Sequence, residues 1–92
     1  MKLVFRRHAV EHMFERGLSV DDVASVLRDG RIIEDYPMDF PYRSALWLGL
    51  VGSKPLHVVA ADNPAVDERI IITVYEPDPS QWESDWAPRR KP

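Results

Sequence analysis

The stretch from Pro55 to Trp82, PLHVVAADNPAVDERIIITVYEPDPSQW, decides how this chain folds. It holds two runs rich in β-branched and aliphatic residues, Leu56–Asp62 and Arg69–Tyr75, separated by a segment containing Pro64 and Asp67. Runs of this length bounded by turn residues read as strands, and a short link between them makes the pair antiparallel. The second run ends at Glu76-Pro77-Asp78-Pro79, where two prolines remove the backbone donors a ladder needs. Three polar side chains, His57, Thr73 and Tyr75, sit inside these aliphatic strands. A polar group in such a place needs a partner, so these three mark where the chemistry of the domain would lie.

Working back toward the N-terminus, Ser44–Val51 (SALWLGLV) and Arg31–Tyr36 read as two further strands, with Pro37 and Pro41 breaking the chain between them. Two helices precede them. The first is expected over about Arg6–Arg16, with Val10, Met13 and Phe14 on one side, and is ended by Gly17. The second opens on Ser19-Val20-Asp21-Asp22, in which Ser19 can cap and Asp22 can answer it three residues on. It carries Val20, Val23, Ala24 and Leu27 on one face and stops at Asp29-Gly30. The result is an α+β fold: an N-terminal helical hairpin packed on an antiparallel β-meander of about four strands. Lys2-Leu3-Val4-Phe5 is long enough to add an N-terminal strand. After Pro79, Trp82 and Trp86 are spaced for a short terminal helix, and Pro88 to Pro92 reads as a frayed end.

Period-2 alternation places Ile70, Ile72 and Val74 on one face of the last strand, with Ile71, Thr73 and Tyr75 on the other. If the aliphatic set meets the helices, His57, Thr73 and Tyr75 share the far face, with room for Trp47 beside them. A half-polar sheet face of that kind suits a ligand or RNA.

Composition narrows the class. Ninety-two residues make one domain with one core. No apolar run approaches a membrane span, and the apolar stretch near Met1 is too short for a signal peptide. The absence of cysteine removes disulfides and thiolate metal sites and agrees with a reducing cytoplasm. A formal charge of −3 argues against non-specific coating of nucleic acid, although Arg6-Arg7 and Arg89-Arg90-Lys91 concentrate positive charge near the two ends. His8-Ala9-Val10-Glu11-His12 formally matches a zinc-protease pattern. With no third ligand in view, the stripe of His8, His12 and Arg16 reads as a solvated helix face, and no metal is expected.

Several blocks together resemble a bacterial family, the domain of unknown function 4258. They are His8-Ala9 with Met13 and Glu15-Arg16-Gly17, Gly30 with Ile33-Glu34, Pro55-Leu56-His57-Val58-Val59, and Ile72-Thr73-Val74-Tyr75-Glu76-Pro77-Asp78. Trp82 and a late arginine, Arg89 or Arg90, complete the set. That family is similar in expected architecture to the RelE/ParE and BrnT-type toxins of toxin–antitoxin pairs. The resemblance implies a small cytoplasmic protein, a metal-independent endoribonuclease neutralised by an antitoxin. In that reading His57, Tyr75 and Arg16 are the catalytic residues, and His8, Thr73, Arg43 and Arg89 bind substrate. The alternative is a non-catalytic protein-binding module or an inactive toxin-like relic, using helix surface or strand edge to hold a partner.

Overall fold

The computed structural model describes residues 1–89. Its elements run β1 (Lys2–Phe5), α1 (Arg7–Arg16), α2 (Val20–Asp29), β2 (Arg31–Tyr36), β3 (Ser44–Val51), β4 (Lys54–Asn63) and β5 (Glu68–Tyr75). A single 3-10 turn, Pro64–Val66, links the last two strands. The sheet order is β1-β5-β4-β3-β2. Four strands form the expected meander, and the N-terminal run adds a fifth, parallel to β5, from Lys2 opposite Glu68 to Phe5 opposite Ile71. The sheet is therefore mixed. A parallel neighbour needs a crossover, and the hairpin of α1 and α2 lies in the chain between β1 and the rest of the sheet.

Local chemistry sets the helix boundaries. Gly17 takes the left-handed conformation (φ 66°) that ends α1, the region that costs a side-chain-bearing residue most. Ser19 and Asp22 form the reciprocal capping box that starts α2, with bonds of 3.0 and 2.9 Å. The hairpin then lies on one side of the sheet. Ala9 and Met13 of α1 and Val23, Val26 and Leu27 of α2 pack on Leu56, Val58, Ala60, Ile71 and Val74. Close approach here depends on Gly49, where a Cβ atom would stand 3.0 Å from the Val26 side chain.

Several expectations change. Of the apolar side expected for α1, Met13 is buried, but Val10 and Phe14 are 50% and 88% exposed. The buried seam falls on Ala9 and Met13, because the short α1 meets the sheet along β5 only on that side. In α2 it is Val26, not Val20, that joins Val23 and Leu27 inside. Among the described residues the tail forms turns and one isolated bridge, Trp82 to Arg89, in place of a terminal helix. Trp86 sits at φ 65°, which no helix allows. Pro88 and Arg89 have partners within the tail: the Glu83 N–H donates to the Pro88 carbonyl at 2.9 Å, and Arg89 bridges Trp82. The remainder of the expected frayed end, and Arg90 with it, lie outside the described residues.

Two bulges redistribute the sheet's faces. In β5, Val59 pairs with Thr73 but Ala60 pairs with Ile71, so Ile72 is an extra residue. Strict alternation fails there. Ile71 and Val74 join the helix-side core, while Ile70 and Ile72 line a groove with Ala61 on the other side. In β2 the register jumps at Ile33, and Glu34 stands opposite Leu46. Trp47, opposite Val58, packs with the helix-side core and does not join His57.

A candidate acid–base site on the far face of the sheet

His57 of β4 lies directly opposite Tyr75 of β5 and Leu48 of β3, at the centre of the face turned away from the helices. The tail crosses over it. Trp82 is buried and meets the His57 ring edge-on, with centroids 4.4 Å apart and planes at 87°. His57 itself is fully buried, and both its nitrogens are engaged. Its Nε2 lies 2.8 Å from the Trp86 carbonyl, which only accepts, so Nε2 carries the hydrogen. Burial holds the pKa of His57 below its ordinary value of 6.5, against the opposing pull of the Trp86 bond and the Glu34 charge. The neutral ring therefore leaves Nδ1 as an acceptor, and the Tyr75 hydroxyl donates to it at 3.2 Å.

A second group flanks this dyad. Glu34, turned to this face by the bulge at Ile33, receives Arg89 through two bonds of 3.0 and 3.2 Å. The Tyr36 hydroxyl donates to the same carboxylate at 2.5 Å. Burial pushes Glu34 up, but the bonds from Arg89 and Tyr36 outweigh it and leave the carboxyl below its ordinary value. Tyr36 is pushed up to about 12 by burial and by its bond to Glu34. Burial likewise raises Tyr75. Arg89 also stacks on Trp82, its guanidinium carbon 4.5 Å from the ring centroid. Its side chain stays about half exposed, and the Glu34 fork uses two of its five N–H donors.

Of the side chains expected from sequence, His57, Tyr75 and Arg89 come together here. Thr73 shares their face, opposite Val59 and two residues from Tyr75. The other three lie elsewhere. Arg16 reaches Glu76 at 3.9 Å from the end of α1. Arg43 pairs with Asp35 at 3.7 Å beside the loop before β3. His8 remains on the exposed face of α1, its ring 4.4 Å from that of His12, while His12 donates to the Val74 carbonyl at 2.9 Å. Among the described residues no three His, Cys, Asp or Glu side chains converge as metal ligands.

Glu34 and Tyr36 were not expected at the site. Both lie on a strand whose alternation is broken at Ile33, so no periodicity pointed to them. Five groups that can hold or move a proton or bind an anion thus share one network: a carboxylate, an imidazole, two phenols and a guanidinium. Such clustering of shifted titratable groups is a physical mark of a functional site.

A family model described as a domain of unknown function (DUF4258) matches residues 5–76, which contain His57, Tyr75, Glu34 and Tyr36. The tail that covers the site, with Trp82, Trp86 and Arg89, lies beyond the matched stretch. No curated protein and no solved structure gives a match.

Proposed function

From the premise that the chain belongs to the DUF4258 family, whose description assigns no activity, we propose that it is a metal-independent endoribonuclease of the RelE/BrnT toxin type, held in check by an antitoxin. The observation that carries this reading is the Tyr75–His57 dyad beside Arg89 on one sheet face. The toxin class comes from the sequence resemblance, and the network supports it with groups suited to moving a proton at a phosphate.

In the proposed step the 2′-oxygen of RNA attacks the adjacent phosphorus and the bond to the 5′-oxygen breaks. Products are a 2′,3′-cyclic phosphate and a 5′-hydroxyl. Tyr75 takes the proton of the 2′-hydroxyl as its own proton passes to His57 Nδ1. The resulting imidazolium keeps a partner for each N–H, the Trp86 carbonyl and the Tyr75 oxygen. The departing 5′-oxygen takes a proton from solvent, and His57 returns its proton through Tyr75 after release. Arg89 offers its remaining donors to the charge gathering on phosphorus, while Glu34 holds the guanidinium in place. A neutral His57 is required at the start, and the burial that lowers its pKa supplies that form.

The test is cleavage of a mixed-sequence RNA by purified protein in chelator, with end-group analysis, alongside growth after induced expression. Cyclic-phosphate ends are expected, with Tyr75→Phe and His57→Gln slowing cleavage by roughly 100-fold or more, the scale of lost acid–base catalysis. Folded variants that cut as fast as the parent would overturn the assignment of the dyad. Intact RNA and normal growth would favour the non-catalytic module. That second reading has its own support: His57 is sealed from solvent, and α1 displays Val10 and Phe14. It expects Phe14→Asp to abolish partner capture while His57→Gln leaves capture unchanged.

A further inference from the structure

A cleft of about 450 Å³ opens beside the dyad. β2 starts at Arg31 opposite Leu48, so β3 continues through Gly49, Leu50 and Val51 past its neighbour. Leu48, Gly49 and Leu50 of this overhanging strand line the cleft together with Trp86, and its charged lining is Asp29, Asp85 and Arg31. Its place relative to the dyad is set twice over. Leu48 is His57's partner across the sheet, and the Trp86 carbonyl receives His57 Nε2–H.

We propose that this cleft is a guanine subsite of the RNA-cleaving centre, an inference that rests on the ribonuclease reading above. The apolar lining and the Trp86 indole suit a planar ring, which gains by stacking whatever its sequence. The charged lining then selects. Two carboxylates repel phosphate and accept hydrogen bonds, so the edge presented to them must be made of donors. Among the four RNA bases guanine alone carries two adjacent N–H donors, N1–H and the N2 amino group, on one edge. A carboxylate accepts two such donors side by side. Asp85 is the reading residue. Its Oδ1 holds only a 3.4 Å bond from the Ala87 N–H, whereas both oxygens of Asp29 are engaged by Arg28 at 3.2 and 3.0 Å. Arg31 supplies the lining's positive charge and is the group a neighbouring phosphate would meet.

The experiment has two arms on the full chain. In the first, isotope-labelled protein is titrated with GMP, AMP, CMP and UMP while the Leu48–Leu50 amides and the Trp86 indole are followed by NMR. GMP is expected to bind about tenfold more tightly than the others; Asp85→Asn should erase the preference, and Trp86→Leu should weaken all four by about tenfold. In the second arm the cut positions in mixed-sequence RNA are mapped, and they should fall beside guanine for the parent chain and lose that bias in Asp85→Asn. RNA cut without base preference, or GMP shifts away from these residues, would overturn the subsite and leave the ribonuclease reading standing. Selective GMP binding by a protein that leaves RNA intact would uphold the pocket and overturn the ribonuclease reading.

Discussion

The two faces of one sheet are built on different physics. On the helix side, Leu56, Val58, Ala60, Ile71 and Val74 meet Ala9, Met13, Val23, Val26 and Leu27, and the contact is held by burial of apolar surface. On the other side, β4 and β5 present His57 and Tyr75, and β2 adds Glu34 and Tyr36, to a tail that among the described residues has turns and a single bridge but no helix or ladder. Aliphatic packing tolerates no polar atom without a partner, whereas the tail side is made of polar atoms that partner each other: no buried side-chain nitrogen or oxygen among the described residues lacks a hydrogen bond. The helix side supplies stability and leaves the tail side to hold titratable groups at shifted pKa values.

The contrast is sharpest at Ile71, which is fully buried on the helix side. Ile71→Ala should cost about 2–5 kcal/mol in chemical denaturation, the range for a truncated core aliphatic. Trp82→Ala removes a larger side chain, yet it should cost less than Ile71→Ala, because the tail can detach without unpairing a strand. Equal losses at the two positions would make the tail part of a single cooperative core. Hydrogen exchange reads the same distinction directly, with amides of the tail exchanging ahead of those of β4 and β5.

His57→Ala strands the Trp86 carbonyl and the Tyr75 hydroxyl, and about 1–3 kcal/mol is the expected loss for buried groups left unpaired. The pH dependence follows from the same residue. His57 has a folded-state pKa below 6.5, so the unfolded chain binds the proton first. Its contribution to stability is complete above that value and is lost as pH falls toward the folded-state pKa. Glu34, also lowered, adds a second loss below its ordinary value of 4.5. Denaturation midpoints taken between pH 8 and pH 4 should therefore fall steadily, and His57→Gln should flatten the upper part of that fall. The smallest effect belongs to the outer side of α1: Phe14, 88% exposed, should change stability by no more than about 0.5 kcal/mol when replaced by alanine. A larger loss there would show that the exposed stripe is covered in solution.

Much of the scaffold was legible from local signals. Gly17 as a left-handed cap, the Ser19–Asp22 box, and the bounds of β2 and β3 were all readable because each rests on the chemistry of a few neighbouring residues. The site was legible in part. His57 and Tyr75 were paired correctly since both lie on the regular side of the β5 bulge, where alternation holds. The place of Arg16 was not legible, because a residue at a helix end carries no signal of which strand it will reach; it meets Glu76. Val10 and Phe14 were misassigned for a related reason: an amphipathic stripe shows that a helix has an apolar side, not how much of it the partner covers.

The element order, the α+β class, the helix caps and the polar residues inside two strands are all written in the chain. These follow from backbone propensity, from period and from capping, which act over a few residues. Packing in three dimensions set which face each side chain took past Ile33 and Ile72, and so brought Glu34 to Arg89 and Ile71 to the core. It alone laid Trp82 and Trp86 over His57, sealing the imidazole while Tyr75 stays half-buried beside it. An added residue in a ladder and the docking of an irregular tail are settled by packing between segments far apart in the chain, and no local pattern encodes that balance.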